Sequence, residues 1–167
     1  MIDRSQQSLR GFYQYFNGKD ELLLALFEDS MLESAADLRD AVAAESEPIA
    51  RLRAFAIRLH EWCEPADIPR KRGSHNRRPI SEFSVQLAVA HPERVKIAME
   101  PVSRMALELV EEAVAIGAIR VPDPRRAAAL VQQTVMYSWF GNRLIQDPRM
   151  RLTAEETWQF CLHGLSG

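Results

Sequence analysis

Between Lys19 and Val42 the apolar residues Leu23, Phe27, Met31, Leu38 and Val42 recur at helical spacing, and Leu22 and Leu26 broaden the stripe. Glu28, Asp29, Glu33, Arg39 and Asp40 fall largely outside it. A stripe of that length on a 3.6-residue repeat suits only a helix, and it obliges the rest of the chain to cover it. Nowhere does the sequence alternate with the two-residue period of a half-buried strand, and no segment repeats. The expected fold class is all-α, a helical bundle of about seven to eight helices.

Prolines and capping residues divide the chain into those helices. A short helix over 5–16 closes at the turn dipeptide Asn17-Gly18. Pro48 suits a first helical turn, and the helix it opens turns Ile49, Leu52, Phe55, Leu59 and Trp62 inward. Pro65 and Pro69 introduce a loop, 70–78, with five basic residues and none apolar. Pro79 opens a helix bearing Phe83, Leu87 and Val89 that stops near His91-Pro92. The helical stretch from Pro92 to Ile116 should be kinked or divided at Pro101, which lacks an interior N–H, and Gly117 suits its stop. Asp123-Pro124 reads as an N-cap with a first-turn proline, for a helix reaching about Ile145. Thr153 and Glu156 have capping-box spacing at the start of the last helix.

The helix after Asp123 carries Leu130, Val131, Val135, Met136, Tyr137, Trp139, Phe140, Leu144 and Ile145 around its whole circumference. Such a helix must be covered on every side. One face is therefore expected in the core and the other against a second subunit. With the seam of the last helix, the expected homodimer contact comprises Val131, Val135, Trp139, Trp158, Cys161, Leu162 and Leu165.

The 167 residues suit one compact domain, and 47% hydrophobic with 26% charged residues is ordinary globular composition. A net charge of -2 carries no overall basic signature, so any nucleic-acid contact must be local. Two cysteines, Cys63 and Cys161, are too few for a disulfide framework and read as reduced thiols. No apolar run reaches membrane-spanning length and no signal-peptide core opens the chain, so a soluble cytoplasmic protein without a membrane partner is expected.

No nucleophile elbow, glycine-rich phosphate loop, paired metal motif or isolated acid–base pair occurs, so no enzyme and no cofactor is expected. His60, Cys63 and Glu64 share one helical surface, as metal ligands do, but no second pair completes a site and a structural role is expected. Phe55, Leu59, Trp62, Phe83, Leu87, Met99, Met105, Leu109, Met136 and Phe140 either form simple core or line an apolar ligand cavity, for which methionines are well suited. Arg58, Glu61, Arg104 or Gln133 could supply one polar anchor there.

The string Phe12-Tyr13-Gln14-Tyr15-Phe16-Asn17-Gly18-Lys19-Asp20-Glu21-Leu22 resembles the end of the DNA-binding segment in the tetracycline-repressor (TetR) family of transcriptional regulators. Ser8, Phe12, Tyr13, Tyr15, Phe16 and Lys19 stand where that family's groove-reading helix and the following turn carry serine, aromatics and lysine. The resemblance implies that Ser8, Arg10, Tyr13 and Tyr15 face operator DNA and that Lys19 holds a phosphate. Hydroxyls and an ammonium satisfy phosphate oxygens, and an arginine reaches base edges. It implies two parts, a remnant of a helix-turn-helix DNA-binding domain over 1–18 and a ligand-binding and dimerisation domain over 19–167. Only Met1 to Gly11 precede Phe12, where the family carries two further helices, so the sequence reads as a shortened repressor or a natural product that dimerises without reading DNA.

The resemblance implies a repressor, released from DNA when a small apolar or amphipathic effector displaces the helix from Lys19 to Val42. The basic loop 70–78 is then either a solvated connection or a sequence-blind aid to DNA affinity. The alternative is a helical dimer that does not bind DNA, acting as a small-molecule carrier or as a partner that inactivates full-length repressors.

Overall fold

The computed structural model describes residues 18–63, 81–145 and 147–166. The helix expected over 5–16 and the basic loop 70–78 lie outside the described residues. Among the described residues six α-helices follow one another: α1 (Lys19–Ala43), α2 (Pro48–Cys63), α3 (Ser81–Ala90), α4 (Pro92–Ala115), α5 (Pro124–Leu144) and α6 (Ala154–Ser166). A 3-10 turn, Pro148–Met150, joins the last two, and no strand occurs among the described residues. The fold is all-α.

The helix ends follow from their capping chemistry. Gly18 precedes α1 with φ 112° and ψ -177°, a conformation essentially reserved for glycine. Gly117 ends α4 at φ 75°. Its N–H donates to Val114 O at 2.9 Å while Ala118 N–H donates to Ala113 O at 2.9 Å, the paired bonds of a Schellman motif. Asp123 caps α5 by accepting from Arg125 N–H at 2.9 Å. At α6 Thr153 Oγ1 accepts from Glu156 N–H at 3.2 Å, and Thr153 N–H donates back to the Glu156 carboxylate at 2.8 Å. That is the capping box expected from the spacing.

Pro101 does not divide α4, which runs unbroken through it. A proline inside a helix costs about 3 kcal/mol. Val95 on one side and Val102, Met105, Ala106, Leu109, Val110 and Ala113 on the other are all buried, and burying one such large side chain contributes about 1.5–3 kcal/mol. Burial along that face outweighs the lost hydrogen bond.

The side chains pack in two clusters. The larger joins Leu38 and Val42 of α1, Leu52, Phe55 and Leu59 of α2, Val102, Met105, Leu109 and Val110 of α4, Val131 and Val135 of α5, and Trp158, Cys161 and Leu165 of α6. The smaller joins Leu24, Phe27 and Met31 of α1 to Leu87 of α3 and Val95 of α4. α1 belongs to both. Its buried line runs through Leu24, and Leu23 sits half-buried at the margin.

Arginines tie these helices together at their edges. Arg58 of α2 engages Asp37 of α1 through both Nε and Nη2, and Arg94 of α4 grips Glu28 of α1 at 2.9 and 2.8 Å. Arg51 joins α2 to Glu112 of α4, and Arg53 joins α2 to Glu155 of α6. Half-exposed pairs of this kind contribute at most about 1 kcal/mol each, so they fix geometry more than they add stability.

Candidate functional site

At the seam between the two clusters lies a cavity of about 80 Å³. Five helices contribute its wall: Phe27, Met31 and Ser34 from α1, Leu59, Trp62 and Cys63 from α2, Ser84 and Ala88 from α3, Val95, Met99 and Val102 from α4, and Met136 and Tyr137 from α5. None of these side chains carries a charge. Pockets for drug-sized ligands run to roughly 300–1,000 Å³, so a molecule of that size enters only if the wall yields. Met31, Met99 and Met136 are the flexible elements of that wall.

Trp62 connects the cavity to α1. Its ring lines the wall, and its indole N–H donates to Asp37 Oδ2 at 2.7 Å. The Asp37 carboxylate also receives the Arg58 guanidinium, which bonds Glu61 at 2.7 Å. The two carboxylates raise the Arg58 pKa above its usual value, against the opposing effect of burial. Beside this network His60 is 1% exposed, and burial pushes its imidazole below the usual value of 6.5 while the Glu61 carboxylate partly opposes the shift.

A second concavity, about 550 Å³, is an open groove between α5 and α6. Leu130 and Phe160 rise from its two sides, 64% and 73% exposed, while Val131, Cys161 and Leu165 contribute to its floor.

Among the residues expected in a cavity, Leu59, Trp62, Met99 and Met136 line it. Phe55, Met105 and Leu109 belong to the larger core instead, and Leu87 to the smaller. Phe140 stands on the outer side of α5, 55% exposed, and does not line this cavity. The side chain of Phe83 lies outside the described residues. The anchors considered for a ligand do not reach the wall. Arg58 is engaged by Asp37 and Glu61, Arg104 pairs with Glu100 at the surface, and Gln133 is exposed. Ser34 and Ser84 are polar groups of the wall that the sequence did not single out, because a serine within an apolar stripe carries no pattern of its own.

Most of the residues expected at a subunit contact pack within the chain itself. Val131, Val135, Trp158, Cys161 and Leu165 are buried by their own chain, and Leu162 packs half-buried against the same core. The exposed apolar side chains of these helices are Leu130, Tyr137, Phe140, Leu144 and Phe160. The side chain of Trp139 lies outside the described residues, as do Ser8, Arg10, Tyr13 and Tyr15 and the side chain of Lys19, the first residue of α1. Among the described residues no three His, Cys, Asp or Glu side chains gather as metal ligands, and no helix is long and apolar enough to cross a membrane.

No protein-family model matches the chain, and no curated protein matches it in sequence. Solved structures do match in shape. AibR in complex with isovaleryl coenzyme A and operator DNA is similar with a TM-score of 0.68 at 20% identity, over 94% of this chain and 80% of AibR. The superantigen PfiT gives 0.68 at 19% identity, over 93% of this chain and 77% of PfiT. A tetR-family regulatory protein from Rhodococcus RHA1 gives 0.64 at 16% identity, over 92% of this chain and 77% of that protein. One fold thus serves a protein bound to operator DNA, one named as a tetR-family regulatory protein and one named as a superantigen, and function has to be argued from the sites it carries. The fold of this chain is that of the TetR-family regulators.

Proposed function

We propose that the chain is the effector-binding and dimerisation body of a TetR-like transcriptional regulator, a repressor released from operator DNA by a small apolar or amphipathic molecule. One observation carries the reading. The single helix α1 starts at Lys19, directly after the segment that resembles a DNA reader, and then contributes Phe27, Met31 and Ser34 to the cavity wall. A molecule that widens the cavity pushes on the helix leading to the DNA-reading segment.

The energetic requirement is differential affinity: the effector must bind the arrangement with α1 displaced better than the arrangement that fits DNA. In this reading residues 1–18 belong to the DNA reader and 19–167 to the body. Ser8, Arg10, Tyr13, Tyr15 and Lys19 face operator DNA. The groove of α5 and α6, with Leu130 and Phe160 at its sides, receives the same helices of a second copy, which places two readers on one operator. The basic residues of 70–78 add salt-dependent affinity, and reversing the charge of Arg70, Lys71 and Arg72 should flatten the salt dependence.

The test is a mobility shift of DNA from upstream of the gene, using the chain with every in-frame residue the genome encodes ahead of Met1. Retention at low salt that fades with rising salt supports the regulator. No retention at any salt concentration would instead favour a helical carrier that does not read DNA.

A further inference from the structure

Ser34 sits in the middle of α1, is 1% exposed, and lines the cavity, yet its Oγ has no hydrogen-bond partner among the described residues. Buried helical hydroxyls ordinarily return to a carbonyl of the preceding turn. Buried Thr157 Oγ1 does so, donating to Thr153 O at 2.9 Å, and half-buried Ser138 Oγ likewise donates to Val135 O at 2.8 Å. A buried hydroxyl without a partner is destabilising, so the position invites a polar atom from within the cavity.

We propose that the cavity takes a small, uncharged, largely apolar molecule with one hydrogen-bonding group, such as an alcohol, phenol or ketone, seated on the Ser34 hydroxyl. This names the effector class of the site and rests on the regulator reading for its biological meaning. A hydroxyl both donates and accepts, so it meets an alcohol or a carbonyl equally well. Charge is excluded by the surroundings. Among the described residues no lining side chain is ionised, and the adjacent Asp37 and Glu61 are both already bonded to Arg58. A carboxylate or ammonium would be buried there without a counter-charge. Size is limited as well. An apolar cavity of about 150 Å³ accepts benzene, so the 80 Å³ present here admits a single ring once a methionine shifts.

The experiment measures binding of benzyl alcohol, toluene and benzoate to the purified chain by calorimetry, together with the melting temperature of Ser34→Ala. Benzyl alcohol should bind at least about tenfold more tightly than benzoate, which is the scale of one buried hydrogen bond. Ser34→Ala should melt higher without any probe, lose about tenfold in benzyl alcohol affinity and keep its toluene affinity. Binding of benzoate as tight as that of benzyl alcohol overturns the proposal. So does an unchanged preference between benzyl alcohol and toluene in Ser34→Ala, the result expected if the hydroxyl only holds water, and so does failure of all three probes to bind. No DNA is present in these measurements, so a chain that binds benzyl alcohol through Ser34 but never retains DNA would lose the regulator reading and keep this one.

Discussion

Trp62 touches the cavity with its ring and holds Asp37 of α1 with its indole N–H, at 2.7 Å from Oδ2. One side chain therefore both lines the cavity and grips the helix that borders it. A molecule that rotates the indole also withdraws a donor from a carboxylate already shared with Arg58.

Trp62→Phe keeps an aromatic ring in the wall and removes the donor. It should destabilise the chain by about 1 kcal/mol, the usual net worth of such a bond. Amide exchange near Asp37 should accelerate while exchange in α4 stays slow. Equal acceleration in both helices would mean the bond does not act locally on α1.

His60 gives the fold an acid-side weakness. Its folded pKa lies below 6.5 because burial disfavours the imidazolium, so below that pH the unfolded chain binds more protons than the folded one. The stability tied to neutral His60 is complete above the unfolded value and is lost as pH falls below it. Denaturation midpoints measured from about pH 7 to about pH 5 should decline, and His60→Leu should flatten that decline.

Phe160→Asp probes the groove between α5 and α6. With Phe160 73% exposed, the substitution leaves the folded chain intact. If copies pair through this face, a buried aspartate should weaken self-association by at least about thirtyfold in sedimentation, the scale of a central interface residue. An unaltered association constant would move the interface elsewhere.

Gly117→Ala isolates backbone strain, since a Cβ at Gly117 meets nothing within 4 Å while φ is +75°. The expected cost is about 1 kcal/mol, or roughly 2–4 °C in melting temperature. Gly141, which lies within α5 and also has open space around it, should accept alanine with no loss.

The ends of elements were the legible part of the sequence, because capping is local chemistry. Asp123 with Pro124, Thr153 with Glu156, and Gly117 each perform the role their residue types imply. Inward and outward faces were less legible. The apolar residues of α5 occupy its whole circumference, so periodicity could not show that Val131 and Val135 go inward while Leu130 and Phe140 stay out. Pro101 left two outcomes open, a kink or a division, and burial on either side of it carries the helix through without division. Leu59, Trp62, Met99 and Met136 could be named for the cavity because large apolar residues on central helices are natural candidates. Ser34 could not, since its importance lies in a bond it does not make, which only three-dimensional neighbours reveal.

The two arginine grips on α1 give this helix a mechanical character. Arg94 holds it at Glu28 and Arg58 holds it at Asp37, and Glu28 stands midway between Lys19 and Asp37. Arg94 also stands 3.7 Å from Glu21, and Leu38 and Val42 remain anchored in the larger core, so losing the Asp37 contact alone loosens the middle of α1 without freeing either end.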